Sequence, residues 1–143
     1  MMGEYKNILV AVDGSSHSER AFSEAIEVAK YSGAKLNILT VINDKELSTS
    51  AFSFSKIYSE EKEQVEKELL KKIHDASLKD LEKIEPFIEL GDPRSKIVEF
   101  AKDQEIEMIF LGATGKGEIQ LTQIGSTAAY VVNEAPCSVT VIR

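Results

Sequence analysis

Five short apolar runs punctuate the chain: NILVAV (Asn7–Val12), KLNILTVI (Lys35–Ile42), EPFIEL (Glu85–Leu90), EMIFLG (Glu107–Gly112) and CSVTVI (Cys137–Ile142). They are strand-sized and rich in β-branched residues, as expected of strands covered on both faces. Between them lie four segments with helical spacing. The first carries Ala21, Phe22, Ala25, Ile26 and Ala29 inward and stops at Gly33, with Ser16 and Glu19 as a capping box. The second runs from about Lys56 to Leu81 with Val65, Leu69, Ile73 and Ala76 as its stripe, behind a Ser-rich connection, Asn43–Ser55. The third starts at Asp92-Pro93 and buries Ile97, Val98 and Ala101. Gly125 opens the fourth, through Ala128, Val131 and Val132.

Strict alternation of strand and helix predicts an α/β fold: one open, parallel, five-stranded sheet with helices on both faces, spanning residues 1–143 as a single domain. Right-handed crossovers with helices on both faces require one reversal of direction across the sheet. The usual solution is the Rossmann-like order 3-2-1-4-5, with a crevice between strands 1 and 4 beyond their carboxyl ends. The segments VDGSS, after strand 1, and GATGKG, after strand 4, point into that crevice.

The second of these opens a glycine pattern, Gly112-x2-Gly115-x9-Gly125-Ser126. It is not a Walker A loop, because Glu118 follows Gly117 where Lys is required, and it is not a dinucleotide fingerprint, because Gln120 stands where the third glycine would be. Its physics still suits an anion. Gly112 clears the end of a strand, and Gly115 can take positive φ so that nearby amides converge. Gly125, Ser126 and Thr127 begin a helix whose free amides and dipole favour negative charge, with two hydroxyls as further donors. Two separated pieces of backbone would thus cradle phosphates.

This pattern, with the opening ILVAVDGS, the segment EPFIELGDP and the closing APCSVTVIR, resembles the ATP-binding branch of the universal stress protein family, adenine nucleotide alpha hydrolase-like in fold, along essentially the whole chain. The resemblance implies ATP, or another adenine nucleotide, in the crevice, and a homodimer through the C-terminal strand. It implies that Asp13 lies against the nucleoside, that Ala11 lines the same pocket, that the backbone of Val41 reads the adenine edge, and that Gly112, Gly115, Gly125, Ser126 and Thr127 hold the phosphates. Thr114 stands where the family often has Arg or His. With Lys116 the sole cation in the loop, Mg²⁺ or Mn²⁺ is expected to neutralise the triphosphate.

Other chemistries find less support. A receiver domain needs an acidic pair after strand 1 and an acceptor Asp ending strand 3; here Val12 precedes Asp13, and Leu90-Gly91 end strand 3. Asp13 can equally be read as a turn residue. His17 and His74 lack metal-ligand companions and are expected to be solvated, and Cys137 to be buried. A net charge of −7 argues against nucleic acid, and no apolar run is long enough to span a membrane. The expected compartment is the cytoplasm, since the first residues do not form a secretory signal. Three functions follow: a nucleotide-dependent switch or adaptor in stress response with an unknown protein partner, a slow metal-dependent ATP hydrolase using Asp13 to place the metal, or a nucleotide-free dimeric adaptor. The cradle lacks an Arg and a general base, which favours binding over turnover.

Overall fold

The computed structural model describes residues 5–47, 50–115 and 123–143. The elements run β1 (Asn7–Ala11), α1 (Ser16–Ser32), β2 (Lys35–Asn43), a 3-10 turn (Asp44–Glu46), α2 (Ala51–Leu78), β3 (Ile84–Gly91), α3 (Pro93–Asp103), β4 (Met108–Gly112), α4 (Ser126–Glu134) and β5 (Ser138–Ile142). All strands are parallel, in the order β3-β2-β1-β4-β5. The predicted architecture and order are therefore those observed.

Alternation along β1 divides the core in two. Ile8 and Val10 face α1 and α2, packing with Phe22, Ile26, Val65 and Leu69. Leu9 faces α3 and α4, packing with Ile97, Ala101, Ala128 and Val131. The helices of the first two crossovers thus share one face, and those of the last two the other. The chain reverses direction at β3–α3–β4, which leaves β1 and β4 adjacent.

Local chemistry explains the ends of the elements. Gly33 closes α1 in the left-handed region (φ 75) and donates its N–H to the Ala29 carbonyl. The start of α1 differs from expectation. Ser15, not Ser16, is the N-cap; its Oγ accepts from the Ser18 amide at 3.2 Å. Gly14, at φ 86, turns the chain one residue earlier than the Ser16–Glu19 box required. The Glu19 carboxylate instead accepts from the Lys72 ammonium of α2. Pro93 sits in the first turn of α3 as predicted, although the Asp92 side chain makes no cap bond.

The second correction concerns α2, which begins at Ala51, not Lys56, and ends at Leu78. Ser50 caps it by accepting from the Ser53 amide at 3.2 Å, and Phe54 stacks on Tyr58 one turn on. The Ser-rich connection Asn43–Ser55 is thus mostly a 3-10 turn, a cap and a first helical turn; Ser48 and Thr49 lie outside the described residues. The stripe Val65, Leu69 and Ala76 is buried, with Ile73 half-buried. Burying each large aliphatic side chain contributes about 1.5–3 kcal/mol. The exposed Glu63–Lys67 pair, at 3.7 Å, contributes about 0.3–0.5 kcal/mol, so the stripe rather than the charge pattern docks α2. On α4, Val132 is 49% exposed, so it is not part of the inward face.

Candidate functional site

A cleft of about 600 Å³ opens beyond the carboxyl ends of β1, β2 and β4. Ala11, Asp13, Val41, Gly112, Thr114, Gly115, Gly125, Ser126 and Thr127, drawn from four separate stretches of sequence, all line it. The topology brings them together because β1 and β4 are neighbours whose following connections leave in opposite directions.

On the β2 side the cleft has a backbone edge that is unpaired among the described residues. β1 pairs with β2 only as far as Ala11 opposite Leu39, while β2 continues to Asn43 alongside β3. The Leu39 carbonyl accepts from the Val12 amide at 2.9 Å, so this residue faces β1. Strand alternation puts the N–H and C=O of Val41 on the same edge, past the point where β1 has ended. Thr40 binds the turn instead, donating from Oγ1 to the Val12 carbonyl at 3.1 Å.

Asp13 leads the β1–α1 turn. Its Oδ1 accepts from the Ser15 amide at 2.9 Å, an Asx turn, and its own amide binds Ser18 Oγ at 3.3 Å. Asp13 is thus a turn residue that also lines the cleft. Its Oδ2 lies where Gly115 comes close, so that a Cβ built on Gly115 would stand 3.0 Å from it.

The glycines act differently from expectation. Gly115 is not in the left-handed region; at this site it is Gly14 that adopts positive φ. Gly112 is needed for packing as much as for ligand clearance: a Cβ there would lie 2.7 Å from His17 Cβ and 2.8 Å from the Ser18 nitrogen. Several loop amides are already engaged. The Ala113 amide donates to Ile142 O and that of Gly125 to Ala113 O, each at 2.7 Å, while the amide of Thr114 donates to His17 Nδ1 at 3.2 Å. The first turn of α4 remains as a source of donors. Gly125 caps it in extended geometry without a side-chain bond, and the first-turn amides have no intrahelical acceptors. Lys116 and the rest of 116–122 lie outside the described residues.

His17 is the residue the sequence misjudged. It is 7% exposed, not solvated, and Thr114, also 7% exposed, sits against it with Oγ1 2.8 Å from Nδ1. The signal was present: His17 and Ser18 extend the Ala21, Phe22, Ala25, Ile26, Ala29 stripe back by one turn. His74 is exposed, as expected. Cys137 is only half-buried, rather than buried, because it precedes the edge strand; burial still pushes its thiol up.

The charge around the cleft is mainly acidic. Asp13, Glu46, Glu61 and Glu68 line it, and the one described lysine there, Lys72, is tied to Glu19 and lies 5.5 Å from the Phe22 ring centroid. Among the described residues, the donors a polyanion would meet here are amide dipoles rather than free cationic side chains. Among the described residues, no group of three or more His, Cys, Asp or Glu could hold a metal by itself.

Comparison with known proteins agrees with this geometry. The family model described as the universal stress protein family matches residues 4–143. A Staphylococcus haemolyticus protein, provisionally named a universal stress protein, is 33% identical over 141 residues, covering 97% of this chain and 85% of the relative. The solved universal stress protein UspA from Lactobacillus plantarum superposes with a TM-score of 0.89 at 34% identity, covering 97% of this chain and 98% of that one. A universal stress protein from Archaeoglobus fulgidus, solved in complex with dAMP, shares the fold with a TM-score of 0.68 at 22% identity over 97% of this chain and 98% of that one. With its sequence and its fold in agreement, the chain belongs to the universal stress protein family.

Proposed function

We propose that this protein binds ATP, or another adenine nucleotide, with Mg²⁺ or Mn²⁺ in the cleft between β1 and β4, and that occupancy switches the surface it offers to a protein partner in the cytoplasm during stress. The observation that carries this reading is the pairing of two complementary edges across one cleft: the free backbone edge at Val41 and the side-chain-free cap of α4 at Gly125. The first suits the hydrogen-bonding edge of adenine, and the second suits phosphates. Ala11 and Asp13 lie between them, beside the nucleoside; Gly112, Thr114 and Gly115 form the floor under the phosphates, and Ser126 and Thr127 add hydroxyls. The dAMP held by the Archaeoglobus protein accords with an adenine ligand for this fold.

The reading is of binding rather than turnover, because the cleft offers dipoles and hydroxyls in place of a charge clamp. A divalent ion, when bound, neutralises phosphate charge; the protein's own residues orient the nucleotide. Glu46 and Leu47 line the rim after β2, on the side from which the chain goes on to α2. Isothermal titration calorimetry with ATP, with and without Mg²⁺, tests the reading. Saturable heat that is larger with Mg²⁺ is expected; a flat titration under both conditions, together with no adenine nucleotide in the mass spectrum of the purified protein, excludes it.

A further inference from the structure

His17 and Thr114 meet across the fold, the first in the opening turn of α1 and the second in the connection after β4, and both are almost fully buried. The Thr114 amide donates to His17 Nδ1 at 3.2 Å, and Thr114 Oγ1 lies 2.8 Å from the same nitrogen. A ring nitrogen that accepts from an amide must carry its lone pair, so the neutral imidazole holds its proton on Nε2. One lone pair therefore faces two Thr114 donors. Ser15 Oγ, from the same end of α1, reaches the Thr114 carbonyl at 3.5 Å. Gly112, with no room for a Cβ, presses the strand end against the His17 and Ser18 backbone.

We propose that His17 is a proton-sensitive positioning residue for the β4 connection: its neutral Nδ1 holds the Thr114 amide, and protonation of that nitrogen releases it. The two Thr114 donors respond differently. The hydroxyl can turn and accept from Nδ1–H, whereas the amide can only donate and must find another acceptor. Protonation therefore keeps the side-chain contact, loses the backbone one, and shifts Thr114 and Gly115 at the floor of the cleft. Among the described residues, the ionisable groups on the elements that meet at this corner include Asp13 on the β1–α1 turn, Arg20 one turn along α1, and Arg143 after β5, whose carbonyl accepts from Arg20 Nε at 2.6 Å. β4 contributes none, since Met108–Gly112 carries no charge.

The part of this inference that concerns ligand rests on the nucleotide reading; the part that concerns the loop does not. Nuclear magnetic resonance of the ligand-free full chain tests the latter. Across a pH series, the Thr114 and Gly115 amide resonances should move with the same midpoint as the His17 ring nitrogens. His17→Asn places an uncharged acceptor where Nδ1 stood, and in it those amides should stay fixed across the range. His17→Leu removes the acceptor and should weaken ATP binding about fivefold, the loss of one hydrogen bond, while His17→Asn restores it. A His17 ring that stays neutral over the whole range, a Thr114 amide that ignores its titration, or a His17→Asn protein that shifts like the parent overturns the inference. If no variant binds ATP, the nucleotide reading falls, and the amide titration still decides the role of His17.

Discussion

Gly112 lies against the backbone of His17 so closely that a single added carbon would stand 2.7 Å from His17 Cβ and 2.9 Å from its carbonyl carbon. The obstruction is helix backbone, which cannot swing aside as a side chain can. Gly112→Ala should therefore destabilise the protein by about 1–3 kcal/mol through overpacking. Urea unfolding will show the loss as a lower midpoint at unchanged slope.

Gly115 has a softer neighbour. A Cβ there meets the Asp13 carboxylate at 3.0 Å, and Asp13 is exposed and able to move. Gly115→Val should leave the melting temperature nearly unchanged yet lower ATP affinity by about tenfold or more, because the new branches occupy the cleft floor. Calorimetry and thermal melts on the same sample separate the two effects.

Asp13→Asn retains the Oδ1 acceptor for the Ser15 amide and removes only the charge. Folding stability should hold within about 0.5 kcal/mol. The gain in ATP affinity on adding Mg²⁺ should shrink, as measured by paired titrations with and without the metal. An unchanged metal dependence would remove Asp13 from any metal role.

Glu107, just before β4, accepts from the amides of Asn7 and Lys6 at 2.9 and 2.5 Å. The Asn7 bond, then the Lys6 bond, hold its carboxyl below the usual range, against a smaller opposing effect of burial. A lowered folded value stabilises the protein above the ordinary glutamate range, and the benefit disappears as pH falls through that lowered value. Urea unfolding across the acid range should find Glu107→Gln less sensitive to acid than the parent and less stable near neutrality. Identical pH profiles for the two proteins would rule out this linkage.

Among the described residues, β5 is the outer strand of the sheet, paired with β4 on one side only. Its β-branched sequence SVTVI leaves an edge suited to a second copy of the chain. Sedimentation at micromolar concentration should show a two-chain species; a single-chain species throughout would contradict it.

The sheet was legible because each strand announces itself through burial on both faces, and because handedness leaves few ways to wind five of them. The crevice was legible for the same reason, with VDGSS and GATGKG pointing into it, whereas Ala11 and Val41 came from the family resemblance. What escaped notice depended on partners distant in sequence. Nothing near Thr114 says that its amide belongs to His17, and nothing near Glu19 says that it answers Lys72 rather than capping its own helix. The early start of α2 was hidden differently. A run of serines reads as loop by composition, yet Ser50 is a cap and Phe54–Tyr58 a helical pair, and both are visible once spacing is weighed over composition.

The bond from the Gly125 amide to the Ala113 carbonyl ties together the two ends of the stretch between them. Chain closure grows only slowly more costly with length, so this fastening acts as a local clasp that holds the end of β4 to the start of α4.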